Sequence, residues 1–272
     1  MTHSLDVAEA LYMNCADGWT VSDRIVEHDF RGIPYKSYEH SYFSHANEIE
    51  SRFRNLHVDP GTVGLDIGAS CGTWTLPMSF LCEKVYAFEP FQLFQTELRR
   101  NLDLNEITNV EIVPAMVGEW SASVSRLQCH AGRSSSGYIQ YEGKFPCISI
   151  DDFTSGAAKV GFIKIDVEGG EMSVLRGGMA TIKRDLPNVL VEIHPVYGVL
   201  IHQVTDFFAW ASPHYSCTLM PQGDPSKVGS PCTIVGQHPL YHYHGFFHVV
   251  EPETGEFRSE FGGPWDVPSG SR

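Results

Sequence analysis

Basic residues are scarce in this chain. Its 19 Lys and Arg face 33 Asp and Glu, a formal net charge of −14 at pH 7 with the histidines neutral. Phosphate backbones and anionic headgroups are held by clustered cations. No basic stripe breaks the acidic balance, so neither nucleic acid nor membrane is an expected partner. An apolar run of membrane-spanning length is also missing. The opening residues Met1-Thr2-His3-Ser4-Leu5-Asp6 lack the basic stretch and apolar core of a secretory leader, which gives the expectation of a soluble, cytoplasmic protein. Paired cysteines are absent as well: Cys15, Cys71, Cys82, Cys129, Cys147, Cys217 and Cys232 are odd in number, with no C-x-x-C spacing. They read as reduced, mostly buried thiols.

What is present suffices for one large core. A chain of 272 residues, 42% hydrophobic, makes one elaborated domain more readily than two. Residues 1–60 mix polar and aromatic side chains, with Tyr35, Tyr38, Tyr42 and Phe43 ahead of a helix expected at Ala46 to Leu56, and read as a cap over a pocket mouth. From Val63 strands and helices alternate: helix at Thr73 to Leu81, strand at Lys84 to Phe88, helix at Leu93 to Leu104, strand at Val110 to Pro114. Such alternation means a parallel sheet with helices on both faces. Residues 121–150 break the rhythm with short strand-like runs around Gly132 to Gly137, read as a β-hairpin insertion. The rhythm resumes with strands at Phe162 to Asp166, Val189 to Ile193, His214 to Leu219 and Phe246 to Val250. The domain is expected over 61–250, and 251–272, rich in Gly, Pro and Ser, as a tail.

The most telling run is Val63-Gly64-Leu65-Asp66-Ile67-Gly68-Ala69-Ser70-Cys71-Gly72. An apolar strand passes through an acid into a glycine turn that opens a helix, the layout of a nucleotide-cofactor pocket. Gly68 permits the tight turn, Gly72 permits a ligand near the first helical turn, Ser70 shapes the loop between them, and Asp66 sets a carboxylate beside the ligand. The dinucleotide fingerprint requires G-x-G-x-x-G around a pyrophosphate. Here the spacing is G-x-x-x-G and the turn carries negative charge, which suits a cation such as the sulfonium and ammonium of S-adenosylmethionine. The next strand ends in Glu89-Pro90, where an acid can accept two ribose hydroxyls. The bland alternative for Glu89 is an acid favoured by a helix N-terminus, with Pro90 at the first helical position.

Two later strand ends carry charge. In Ile163-Lys164-Ile165-Asp166-Val167-Glu168-Gly169-Gly170-Glu171, alternation puts Lys164 and Asp166 on one face. A buried Lys needs a partner; either Glu168 or Glu171 could supply it and anchor the following helix. Asp166, at the carboxyl end of its strand, is where open sheets bind ligands. In Leu190-Val191-Glu192-Ile193-His194-Pro195, Glu192 and His194 share a face, and a His beside carboxylates can act as base or metal ligand. Asp166, His194, Lys164 and Glu192 are therefore the candidate catalytic residues. If a divalent metal takes part, Asp166, Glu192 and His194 are its candidate ligands. His238, His242, His244 and His248 cluster near the end of the chain, and with only His244 and His248 flanking the expected last strand, a loop or packing role is the better assignment.

Together, Leu65-Asp66-Ile67-Gly68-Ala69 with Gly72, Phe88-Glu89-Pro90, Asn101 and Asn105 before Asn109-Val110, the Ile163 to Glu171 run with Val174-Leu175 and Gly177, and Glu192-Ile193-His194-Pro195 resemble the FkbM family of S-adenosylmethionine-dependent methyltransferases. The resemblance covers about Gly61 to Leu219. It implies a Rossmann-like class I methyltransferase fold with a seven-stranded, mostly parallel sheet. It further implies methyl transfer, usually to a hydroxyl of a sugar, polyketide or related small metabolite, by in-line displacement. Asp66, Gly68, Ser70, Gly72 and Glu89 are the cofactor-binding candidates. Pro114-Ala115-Met116-Val117 departs from the pattern, with no acid for the adenine amine. A non-catalytic cofactor-binding sensor and a nicotinamide-dependent oxidoreductase stay open as alternatives, as do the acceptor, metal dependence and a homo-oligomeric state.

Overall fold

A computed structural model of the chain describes residues 23–39, 58–130, 138–156, 158–193, 201–212, 215–221 and 243–249. It begins with a hairpin of β1 (Ile25–Phe30) and β2 (Ile33–Tyr38), paired antiparallel through a turn in which Arg31 and Gly32 are both left-handed. This is the described part of the segment expected to act as a cap; the helix expected at Ala46 to Leu56 lies outside the described residues.

The alternating region follows as β3 (Val63–Ile67), α1 (Thr75–Ser79), β4 (Lys84–Phe88), α2 (Gln92–Leu104) and β5 (Val110–Val113). Helix α1 is shorter than the Thr73 to Leu81 expected, because left-handed Gly72, at φ +100°, keeps the chain in a turn beyond the loop. Next come β6 (Met116–Val117), β7 (Ala122–His130) and β8 (Tyr138–Ile148), a separate three-stranded sheet in which β8 pairs antiparallel with β7 and parallel with β6. Helix α3 (Ile150–Phe153) leads into β9 (Val160–Ile165), α4 (Glu171–Gly177), α5 (Met179–Asp185), β10 (Asn188–Ile193), α6 (Ile201–Ala211), β11 (Tyr215–Pro221) and β12 (Tyr243–Val249).

Seven of these strands form one sheet in the order β11-β12-β10-β9-β3-β4-β5. The pairs from β10 to β5 are parallel, and β12 runs antiparallel to both of its neighbours. Parallel strands covered on both faces are largely apolar, and β3, β9 and β10 are buried almost from end to end. Side chains alternate between two cores. Leu65, Ile67, Ile163, Ile165, Val191 and Ile193 meet Val174, Leu175 and Phe208 of α4 and α6 on one face. Val85, Ala87, Phe162 and Leu190 meet Leu76, Leu98 and Leu102 of α1 and α2 on the other, together with Phe30 and Tyr35 of the hairpin. Among the described residues no helix is long and apolar enough to cross a membrane.

Candidate active site

The strand order reverses between β3 and β9: the chain runs outward from β3 to β5, returns, and adds β9 on the other side. Open α/β sheets leave a crevice at such a switch point, at the carboxyl ends of the strands. Five of the charged residues singled out in the sequence, Asp66, Glu89, Lys164, Asp166 and Glu192, come together there.

The register pairs Asp66 of β3 with Lys164 of β9 on one sheet face. Lys164 is 3% exposed and Asp66 is wholly buried. The Lys164 ammonium donates to the Gly68 carbonyl at 2.7 Å and lies 3.3 Å from Asp66 Oδ1 and 3.5 Å from Asp166 Oδ2. Asp66 Oδ2 accepts a 2.5 Å bond from Thr75 Oγ1 at the start of α1. Burial works to lower the Lys164 pKa, but Asp66, Asp166 and Glu192 outweigh it and raise it, so the side chain stays charged.

These contacts correct two expectations. Lys164 does not pair with Glu168 or Glu171, because it shares its face with Phe162, toward α2, whereas the helix that begins at Glu171 covers the opposite face with Ile163 and Ile165. Asp66 does not line the crevice either. It sits beneath the loop and sets the loop's shape through Thr75 and Lys164.

The loop itself is held from both sides. Gly68, at φ +79°, has no room for a side chain: a Cβ there would lie 1.8 Å from the Asp166 carbonyl oxygen. Gly72 would meet Leu98 Cδ1 at 2.5 Å and Leu76 Cδ1 at 2.7 Å. Its left-handed backbone, at φ +100°, favours glycine, and a side chain there would press on the ends of those two leucines. Ser70 is partly exposed and left-handed, at φ +49°. Its N–H donates to Glu89 Oε2 at 2.9 Å, and the Phe91 N–H donates to Glu89 Oε1 at 2.8 Å. Glu89 thus joins the tip of the first loop to the start of α2, which begins at Gln92 rather than at Pro90. Burial, the largest influence, pushes the 4% exposed Glu89 carboxyl up to about 7 against the opposing pull of the two N–H groups and Lys164.

Asp166 follows β9 directly and, with its side chain 24% exposed, is the most accessible member of the cluster. Its N–H donates to the Ile67 carbonyl, so its position is tied to β3. Glu192, near the end of β10, is close enough to act on the Lys164 charge. His194, His238 and His242 lie outside the described residues. His244 and His248 fall within β12 rather than flanking it, and His244 is the register partner of Glu192. No group of three His, Cys, Asp or Glu side chains among the described residues is placed to hold a metal ion.

Similarity to known proteins agrees with this geometry. Residues 66–215 match the model of the methyltransferase FkbM domain, more than half of the chain. The chain belongs to the FkbM methyltransferase family. A solved FkbM methyltransferase from Methylobacillus flagellatus KT is 20% identical, with a TM-score of 0.52 over 72% of this chain and 46% of that one. The FkbM chain described here therefore spans just under half of that protein's length. An rRNA methylase from Streptococcus thermophilus is 12% identical, with a TM-score of 0.43 over 78% of this chain and 96% of the other. No curated protein shows significant similarity.

Two residues of this FkbM domain bear on the site without having been assigned a role from sequence. Thr75 holds Asp66, and its only signal was a hydroxyl near the start of a helix. Asn101 of α2 donates to the Cys71 carbonyl within the glycine loop at 2.9 Å; the resemblance includes it but gives it no task.

Proposed function

We propose that this FkbM domain transfers the methyl group of S-adenosylmethionine to a hydroxyl of a small metabolite of the sugar or polyketide kind. One observation carries the reading. Asp66, Glu89, Asp166 and Glu192 surround the single ammonium of Lys164 at the switch point. That excess of carboxylate repels a pyrophosphate and favours a ligand bearing positive charge. S-adenosylmethionine, when bound, supplies an electrophilic methyl group on a sulfonium that departs as a neutral thioether.

The chain's own residues divide the remaining work. Glu89, anchored by two backbone N–H groups, presents its carboxylate to the ribose hydroxyls. The loop from Gly68 to Gly72 follows the cofactor, kept in shape from below by Asp66, Thr75 and Lys164. Lys164 is a positioning residue, since a buried and firmly charged ammonium cannot take up a proton. Asp166 faces the acceptor and accepts its hydroxyl proton as the new bond forms. Glu192 and His194, one strand further on, complete the acceptor side, with His194 as second candidate base. Lys164 places a positive charge 3.5 Å from Asp166, where it opposes a divalent cation, and we assign metal-independent chemistry. The charge of −14 supports a small-molecule acceptor over RNA or an anionic membrane.

Calorimetry with S-adenosylhomocysteine and with NAD tests the cofactor. Binding of the first alone supports the reading, and preference for NAD overturns it. A screen of hydroxyl-bearing acceptors with labelled S-adenosylmethionine then finds the substrate and separates a catalyst from a sensor. With an acceptor in hand, Asp166→Asn should lower turnover by about 10²- to 10⁴-fold, the scale of general-base catalysis, at nearly constant S-adenosylhomocysteine affinity. Loss of cofactor binding, or an unchanged rate, would remove Asp166 from the acceptor side.

A further inference from the structure

We propose that Asn101 is a positioning residue that couples the N-terminal hairpin to the glycine loop, so that docking of residues 23–39 helps set the conformation in which the loop binds its cofactor. The proposal rests on the cofactor reading given above, and adds to it a part of the chain that precedes the matched domain at residue 66.

Asn101 is 1% exposed, and its amide is engaged at both ends. Oδ1 accepts the Tyr38 N–H of β2 at 2.9 Å, and Nδ2 donates to the Cys71 carbonyl in the loop at 2.9 Å. The partners fix the orientation of the amide, because one is a donor and the other an acceptor. One turn later Asn105 repeats the device: Oδ1 accepts the Lys36 N–H at 2.7 Å, while Nδ2 donates to the Lys36 carbonyl at 2.6 Å and to the Asn101 carbonyl at 2.7 Å.

The spacing explains the pair. Outward-facing backbone groups recur every second residue of a strand, about 6.6 Å apart. Side chains at i and i+4 of a helix are separated by a rise of about 6 Å. Two asparagines at that interval can therefore take up Lys36 and Tyr38 along the edge of β2 that faces away from β1, in the place of a third strand. Arg100 strengthens the grip: its guanidinium lies 4.1 Å from the centre of the Tyr38 ring and bonds Asp23 and the buried Glu97. Phe30 and Tyr35 add apolar contact with Phe80 beyond α1.

Cys71 lies between Ser70, whose N–H holds Glu89, and Gly72, which packs on Leu98. A shift of the Asn101 amide is thus transmitted to the loop. If the hairpin leaves, Oδ1 of Asn101 loses the Tyr38 donor that fixes the orientation of the amide, and the bond from Nδ2 to the Cys71 carbonyl is no longer held from the other side.

Amide hydrogen exchange on the ligand-free chain reads the coupling directly. Asn105→Leu breaks the grip at Lys36 without touching the loop, and exchange should quicken roughly tenfold, the worth of one to two hydrogen bonds, at both Tyr38 and Ser70. Asn101→Asp keeps the acceptor for Tyr38 but replaces the donor to Cys71, so exchange should quicken at Ser70 while Tyr38 stays protected. A purely structural asparagine would loosen both places or neither in that variant. S-adenosylhomocysteine should slow exchange at Tyr38 in the unsubstituted chain and not in Asn101→Asp. Coupling is overturned if Asn105→Leu leaves Ser70 exchange unchanged, whether or not Tyr38 quickens. A chain that fails to bind S-adenosylhomocysteine overturns the cofactor reading alone, and the ligand-free exchange still decides the coupling.

Discussion

At the scale of single residues, the site is governed by the cost of burying charge. Glu89 illustrates it: desolvation pushes its carboxyl up to about 7, so the protonated form is the favoured one below that pH. A carboxyl raised on folding contributes stability that is complete below its unfolded value and lost as pH climbs through about 7. Melting temperatures of the ligand-free chain should carry a falling component across that window, and Glu89→Gln should remove it. In the ribose-binding role proposed for Glu89 the hydroxyls donate to the ionised form, so S-adenosylhomocysteine affinity should rise over the same interval with proton release. An affinity independent of pH between 6 and 8 would contradict the assignment. Lys164 is the complementary case. Lys164→Met strands the buried carboxylate of Asp66 and should cost about 3–5 kcal/mol in urea unfolding, the range for breaking a buried pair. Pairing it with Asp66→Asn should recover part of that loss, which a double-mutant cycle measures.

At the scale of elements, close approach between β3 and β9 decides what the loop tolerates. Gly68 faces a backbone carbonyl, which cannot swing aside, whereas Gly72 faces the ends of two leucine side chains. Both also have left-handed backbones that cost a side-chain-bearing residue about 1–3 kcal/mol. Gly72→Ala should add overpacking of roughly 1–3 kcal/mol, and Gly68→Ala should cost more, because β3 and β9 must separate to admit the methyl group. Comparing urea midpoints of the two variants checks the order; a milder Gly68→Ala would mean that the strands yield more easily than their backbone pairing implies. The same neighbourhood explains a sequence reading that did not hold. Helix α1 starts late because the chain is still turning at Gly72, a constraint that hydrophobic periodicity over Thr73 to Leu81 does not contain.

At the scale of the whole molecule, charge acts at long range. A net −14 should keep single-stranded RNA from being retained in filter binding at roughly physiological salt, where a polyanion needs clustered cations to release its counterions; salt-sensitive retention would redirect the search for the acceptor. Much of the architecture was legible in one dimension. The runs at Val63, Lys84, Phe162 and Val189 are short, apolar and bounded by turn residues, and each is a strand within two residues of the expected limits. The acids Glu89 and Asp166 stand at strand ends because the turns that follow them are written locally in Pro90 and in Gly169-Gly170. Period-two alternation likewise placed Lys164 and Asp166 on one face. It could not say which helix covers that face, so the partner of Lys164 was sought in its own loop when it lay across the sheet in Asp66. Nor could it find the clasp of Asn101 and Asn105, whose partners at Lys36 and Tyr38 are more than sixty residues away. The sequence by itself determined the local conformations, the acids at the strand ends and the sign of the site's charge, since these depend on neighbours along the chain. Only the tertiary structure decided that Asp66 is buried beneath the loop, that Lys164 is a fixed cation and that the hairpin reaches the glycine loop. Those follow from parallel register and helix packing, which bring together residues that no local pattern relates.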